Sequence, residues 1–330
     1  MAPRLEVRGL TVALPTRAGW IRPVNDISFA LAEGEILGIV GESGSGKTML
    51  ALALMGLYPP GARRTGEIWL HKGVEPSGDG GLDLVSANEA EMRAIRGGKI
   101  SMIFQEPMTA LNPVLRVGAQ IEEAIRVHEP RLARSEIERR ALLALERAAI
   151  PEPERRARQY PHQLSGGLRQ RAMIAMALAA HPSVLIADEP TTALDVTVQK
   201  QVVDLLQTLR RDLKLSLLFI THDLGVVGQI ADRVAVMYAG RIIEEGPAVE
   251  VLRHPRHPYT EGLLRAAPRL MHHKLQPIPG TVPALDSLPS GCAFAPRCSY
   301  RVDACQARVP ELNPAPDHGE AHRARCILVR

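Results

Sequence analysis

Residues 41–48 read Gly-Glu-Ser-Gly-Ser-Gly-Lys-Thr, which is the spacing G-x-x-x-x-G-K-[ST]. Glycines at these places let successive backbone N–H groups turn inward around an anion, and the positive end of a following helix adds to the attraction. Gly41, Ser43, Gly44, Ser45 and Gly46 would form such a cradle. Lys47 is expected to reach the β and γ phosphates of a nucleotide and the Thr48 hydroxyl to ligate Mg²⁺. A second anion-binding turn is expected at Leu164-Ser165-Gly166-Gly167-Leu168, where Ser165 and Gly167 open an apolar helix over Arg169–Ala180. Then Val184-Leu185-Ile186-Ala187-Asp188-Glu189 runs from apolar residues into two acids. A buried strand puts such carboxylates at the C-terminal edge of a sheet, the edge that also carries phosphate loops. There Asp188 can hold Mg²⁺ through water and Glu189 can orient a water for attack.

The elements that must carry these groups are legible around them. Glu35–Val40 reads as a buried strand and Thr48–Leu57 as a helix, so the first motif sits in the strand-loop-helix context it needs. Leu217–Thr221 and Val234–Tyr238 add strands, with helical periodicity over Val202–Leu213. Strands alternating with helices predict an α/β fold with a mainly parallel sheet. Between Val117 and Arg158 the pattern is helical only: Ile121, Ala124, Ile125 and His128 share one face, and Ser135 with Glu138 suggests a capping box ahead of Ile137, Ala141, Leu145 and Ala148. Residues 58–98, with the Gly-bearing run Ser77–Gly81, read as loops around short strands. From residue 251 onward 11 of the 26 prolines accumulate, so the tail is expected to be an irregular appendage without long helices.

Composition excludes other classes. The chain has 330 residues, 45% hydrophobic and 23% charged, which is ordinary for about two globular domains. A formal charge of +4 and 3% aromatic residues argue against nucleic acid as a partner. No apolar run reaches the ~18 residues a membrane span requires. The opening Met-Ala-Pro-Arg-Leu-Glu-Val places a charge where a signal peptide needs its apolar core, which predicts a cytoplasmic protein.

Taken in order, these motifs are similar to those of the ABC transporter ATPases, which are P-loop NTPases. The resemblance covers roughly residues 5–250. It rests on the phosphate loop, Gln105 in Phe104-Gln105-Glu106-Pro107, the Leu164–Gly167 signature, Asp188-Glu189, Ala193-Leu194-Asp195, and His222 in Thr221-His222-Asp223. It implies a cassette over 1–250, with an antiparallel β subdomain and a helical insertion at about 106–168. It also implies that Gln105 touches Mg²⁺ or the attacking water and senses a membrane subunit, and that His222 contacts the γ phosphate. Asp195 crosses to a second cassette, and Ser165 and Gly167 bind the nucleotide of that cassette, so ATP joins a head-to-tail dimer. The family stacks adenine on an aromatic upstream of the phosphate loop. Trp20 is the only aromatic in Thr11–Val24, as the stacking candidate or as a half-exposed loop residue.

Tyr160-Pro161-His162-Gln163, His257-Pro258-Tyr259-Thr260 and Gly291-Cys292-Ala293-Phe294-Ala295-Pro296-Arg297-Cys298 resemble the oligopeptide and dipeptide importer branch, relatives of which carry nickel or glutathione. That likeness implies two transmembrane permease subunits, a paralogous cassette, an extracytoplasmic solute-binding protein, and a place on the cytoplasmic face of the membrane. A soluble ABC clamp acting on nucleic acid or ribosomes is the alternative class. All four cysteines, Cys292, Cys298, Cys305 and Cys326, lie in the 251–330 extension at C-x5-C-x6-C-x20-C. This is not the paired spacing of zinc ribbons, and a zinc site or free thiols stay open. The branch resemblance implies a 4Fe-4S cluster that staples the tail. His254, His257, His272 and His273 read as solvated loop residues. The phosphate loop is expected in a core separate from this tail, so that replacing Cys298 would spare nucleotide binding.

Overall fold

The computed structural model describes residues 3–17, 19–71, 81–106, 110–192, 194–267, 277–316 and 319–328. Pro107 and Ala193 of the motifs, Ser77–Gly80, His272 and His273 lie outside the described residues. The chain forms two compact units, one of Met1–Arg4, Ala32–Gly34 and Ala87–Leu218, the other of Leu5–Leu31, Glu35–Ser86 and Phe219–Arg330.

In the second unit, the strands Pro3–Thr16 and Gly19–Ala32 supply most of an antiparallel sheet with Arg63–Leu70 and Leu82–Asp83. Leu5 and Val7 point to the core, then Leu10 and Val12, so the alternation changes phase between Arg8 and Thr11. Gly9 (φ 55°) absorbs that extra residue as a bulge, and Gly66 opposite leaves room where a Cβ would lie 2.6 Å from the Gly9 carbonyl. A further set of strands is ordered Asn313–Ala315, Gly319–Ala324, Arg241–Pro247, Arg233–Tyr238, Ile36–Val40. Ile36–Val40 pairs in parallel with Arg233–Tyr238, while Arg241–Pro247 returns antiparallel through Ala239 and Gly240, both at positive φ as a two-residue hairpin requires. The tail therefore does not hang free of regular structure. Its strand Gly319–Ala324 pairs with Arg241–Pro247, and the short helices Ala248–Arg253 and Pro258–Ala266 precede it.

In the first unit, Ile100–Ile103 and Val184–Asp188 form a parallel pair, Ile100 opposite Val184 and Ile103 opposite Ala187. Every residue of both strands is buried, the signature of a strand covered on both faces. The predicted helical insertion is present as Val117–His128, Arg134–Arg147 and Pro153–Ala157, with Gly166–Leu178 following. Val117, Ile121 and Ile125 meet Ile137, Ala141 and Leu145 and, beyond them, Ala172 and Ala175 in one buried cluster. The Ser135 capping box is corrected. The helix starts earlier, at Arg134 after Ala133, and Glu138 pairs with Arg134 at 2.9 Å instead of reaching back to a backbone N–H. A helix not expected in 58–98, Glu89–Ile95, does carry such a box, made by Asn88 and Glu91. Among the described residues no helix is long and apolar enough to cross a membrane.

Candidate functional site

The phosphate loop leaves the buried strand Ile36–Val40 at Gly41, where a Cβ would run into the carbonyl of Met237. Gly44 and Gly46 take φ of 79° and 103°, conformations that a side chain disfavours. At Gly46 a Cβ would also collide with the Pro23 carbonyl. Ser45 is buried and anchored through backbone bonds to Glu42 and Gly240. The helix Lys47–Leu54 then begins. Lys47 is buried, and its Nζ donates to the carbonyls of Gly41 at 2.8 Å and Glu42 at 3.0 Å, and to Ser45 Oγ at 3.4 Å. An ammonium so held crosses the mouth of the loop and can exchange carbonyl partners for phosphate oxygens. Ser43, Gly44 and Thr48 are exposed.

Two residues of the tail reach this loop, which corrects the expectation of separate cores. The Tyr259 hydroxyl accepts the Glu42 N–H at 2.8 Å. Arg297 donates to both Glu42 carboxylate oxygens, at 2.7 and 3.0 Å. Tyr259 stands in the first turn of Pro258–Ala266, whose N-cap is His257: the imidazole Nδ1 accepts the Tyr259 N–H at 3.0 Å. His257 is thus no solvated loop residue but is buried, and burial pushes its pKa down to about 3. The rings of Tyr238, Tyr259 and Phe294 pack together with centroids 4.6 to 5.4 Å apart. Burial pushes the Tyr259 hydroxyl pKa well up, so it stays a neutral phenol. In the sequence the stretches holding Tyr259 and Arg297 stand out only as branch motifs.

Elsewhere in the same unit, His222 is exposed in the turn between the strand Ser216–Thr221 and the helix Leu224–Ile230, which Asp223 caps. Trp20 is 44% exposed and carries the Arg63 guanidinium 4.2 Å above its ring, so one face is already covered by a cation.

In the first unit, Asp188 is buried at the end of its strand and Glu189 follows at φ 47°, a left-handed conformation that costs a non-glycine residue on the order of 1 kcal/mol. Strain of this kind collects at working sites. Thr192 Oγ1 donates to Glu189 Oε2 at 2.7 Å, and Gln105 Nε2 approaches the same oxygen at 3.4 Å, so two predicted residues are brought together. Ser165 caps Gly166–Leu178 by accepting the Leu168 N–H. A Cβ on Gly167 would lie 2.9 Å from Val198, whose N–H is bonded to Asp195, the N-cap of Val196–Leu213. The two helix starts are therefore neighbours, and Ser165, Gly166, Asp195 and Val196 are all exposed there.

None of the four cysteines is paired in a disulfide; Cys305 is buried, and the Cys292 N–H is bonded to the Cys305 carbonyl at 2.8 Å. Burial raises the pKa of Cys292, Cys298 and Cys326, and neighbouring cysteines raise each further; Cys326 feels Cys292, Cys298 and Cys305 together. Among the described residues no group of three or more His, Cys, Asp or Glu side chains converges enough to hold a metal ion. The expected iron–sulfur ligation by Cys292, Cys298, Cys305 and Cys326 gains no support from these positions.

Residues 24–192 match the family described as ABC transporter, and residues 243–305 match the one described as Oligopeptide/dipeptide transporter, C-terminal region. A Brucella melitensis protein named as a peptide import ATP-binding protein is 52% identical over 334 residues, covering 98% of this chain and 97% of its own length. The oligopeptide transport ATP-binding protein OppD of Bacillus subtilis is 50% identical over 303 residues, covering 90% of this chain and 82% of its own. Among solved structures, the ATP-binding cassette MJ0796, dimeric and bound to ADP and Pi, aligns with a TM-score of 0.64 at 27% identity, over 74% of this chain and 98% of its own. The cbiO1 protein of Clostridium perfringens, part of an ABC transporter complex, aligns at 0.63 and 27%, over 77% and 92%. With its phosphate loop, signature helix and acid-ended strand in place, the chain belongs to the ABC transporter family.

Proposed function

We propose that this chain is the ATP-hydrolysing subunit of a peptide importer, residues 1–250 forming the cassette and 251–330 an extension proper to that branch. The observation that carries the reading is the buried Lys47 ammonium laid across a glycine loop between a buried strand and a helix. In this reading Lys47 binds the β and γ phosphates, His222 contacts the γ phosphate, and Glu189 orients the attacking water, aided by Gln105. The Thr48 hydroxyl, the Asp188 carboxylate and the Gln105 amide are oxygen donors of the kind Mg²⁺ takes, and the ion when bound offsets phosphate charge. Trp20 stays the candidate for the adenine, on the ring face that Arg63 leaves open.

Ser165, Gly167 and Asp195 are exposed or half-exposed on one surface, as residues serving a second cassette must be. ATP held between two such surfaces closes a head-to-tail dimer, and hydrolysis releases it. The partners are then a second, paralogous cassette and two membrane permease subunits on the cytoplasmic face, with an extracytoplasmic solute-binding protein acting through them. The branch resemblance is what points to a 4Fe-4S cluster on Cys292, Cys298, Cys305 and Cys326, each iron taking one thiolate. Such a cluster supplies folding energy to a tail with little core of its own.

Isolation of the native complex from membranes tests the assignment. Permease subunits should copurify and ATP hydrolysis should rise with a peptide-loaded receptor. Copurifying RNA or DNA in their place would move the chain to the soluble clamp class. Stimulation by nickel or glutathione instead of peptide would keep the class and change the solute.

A further inference from the structure

We propose that Arg297 and Tyr259 of the extension are positioning residues for nucleotide binding: Arg297 neutralises the Glu42 carboxylate inside the phosphate loop, and Tyr259 holds the backbone of that same residue. The inference rests on the reading of residues 41–48 as an ATP phosphate loop.

Glu42 is an acid within a loop whose ligand is a polyanion, and a like charge in that loop opposes binding. Its carboxylate is only partly open to water, at 29% exposure, so solvent alone does not screen it. Arg297 answers with both arms of its guanidinium, at 2.7 and 3.0 Å, and its side chain is 4% exposed. The arm is held from behind: Nε donates to the Pro279 carbonyl at 2.9 Å, one terminal nitrogen meets the Tyr238 hydroxyl at 3.4 Å, and the rings of Tyr238 and Phe294 lie 5.9 Å away. A planar fork locked in this way counters a carboxylate more firmly than a flexible lysine would.

The backbone of Glu42 is fixed at both polar atoms. Its N–H goes to the fully buried Tyr259 hydroxyl and its carbonyl accepts from Lys47, the phosphate-binding lysine itself. Glu42 is therefore the point at which the extension touches the nucleotide machinery, by charge through Arg297 and by geometry through Tyr259. Arg297 immediately precedes Cys298, in the one-turn 3₁₀ helix Ala295–Arg297, so the cysteine-bearing loop sets its position.

ATP affinity of the full chain, measured by calorimetry, tests this with four variants and a control. Arg297→Met should weaken ATP binding roughly tenfold, by exposing the loop to its own acid. Glu42→Gln introduced into that variant should restore affinity to within about twofold of wild type, because no charge is left to neutralise. A merely structural tether predicts the opposite, since the double variant would stay as weak as Arg297→Met. Glu42→Gln alone should bind ATP at least as tightly as wild type, which keeps the test decisive if Arg297→Met fails to fold. Tyr259→Phe should cost about five-fold while preserving the aromatic packing. Unchanged affinity in Arg297→Met, absence of rescue in the double variant, or weaker binding in Glu42→Gln alone would each overturn the proposal. Lys47→Ala is the control: if it loses ATP while Arg297→Met does not, only this inference falls. If Lys47→Ala binds normally, the phosphate-loop reading falls with it.

Discussion

Acid should unfasten the extension through His257. Its ring is buried and its Nδ1 must stay unprotonated to accept the Tyr259 N–H, while its backbone N–H is bonded to Glu244 Oε2 at 2.9 Å. Burial lowers its pKa from 6.5 to about 3, so on acidification the unfolded chain takes up the proton first. Stability is therefore complete above pH 6.5 and is lost as pH falls from there toward 3. At pH 5 the unfolded imidazole lies 1.5 units past its midpoint while the folded one is still neutral, which at ~1.36 kcal/mol per unit removes about 2 kcal/mol. His257→Asn tests this, because the amide oxygen can still cap the helix but cannot titrate. Its smaller side chain costs stability at every pH, so the quantity to compare is the slope. Urea midpoints at pH 7.5 and 5.0 should fall further for wild type than for His257→Asn, by the equivalent of about 2 kcal/mol. Glu244 and His322, bonded to each other at 2.7 Å, are present in both proteins. Parallel losses in the two proteins would refute the reasoning.

Glu189→Gln should keep ATP binding and lower hydrolysis at least ~10²-fold in a single-turnover assay, since the amide cannot orient water as the carboxylate does. Undiminished turnover would remove Glu189 from the mechanism. Ser165→Ala should leave ATP affinity of the monomer near wild type but reduce the ATP-dependent dimer seen by size-exclusion chromatography; an equal loss in both would contradict a role across subunits. Anaerobically purified protein should hold about four irons per chain, and Cys298→Ser should lose them. Because Arg297 is the adjacent residue, that variant should also bind ATP more weakly, contrary to what the sequence alone suggests, and calorimetry decides between the two.

What a sequence makes legible is chemistry written at contiguous spacing. Gly41–Thr48 demands a strand before it and a helix after it, and both are visible as apolar runs; Asp188 and Glu189 close a strand too apolar to be anything but buried. The signature and Asp195 can be named but not seen as neighbours, because their approach depends on Gly167 making room for Val198, a packing event with no sequence period. The Ser135–Glu138 pattern misleads because the helix already begins at Arg134 after Ala133, which puts Ser135 inside the first turn, where it cannot be the N-cap. The helix Glu89–Ile95 escapes notice although Asn88 and Glu91 spell its cap, since seven residues are too few to show a periodicity. Tyr259, Arg297 and the burial of His257 are beyond reach for another reason: each is defined by a contact across more than two hundred residues or by packing assembled from distant segments.

The bond between Arg297 and Glu42 spans 255 residues of chain, and that of Tyr259 spans 217. Translation at ~5–20 residues per second puts roughly 13 to 50 s between the synthesis of Glu42 and that of Arg297. Throughout that interval the nascent glycine loop carries its acid uncountered and its Glu42 N–H uncapped by the tyrosine. Contacts of such long range form late, after loop-closure entropy has been met by the rest of the fold. On the proposal made above, the loop gains its full affinity only once residue 297 has been made, and a chain halted earlier binds ATP about tenfold more weakly.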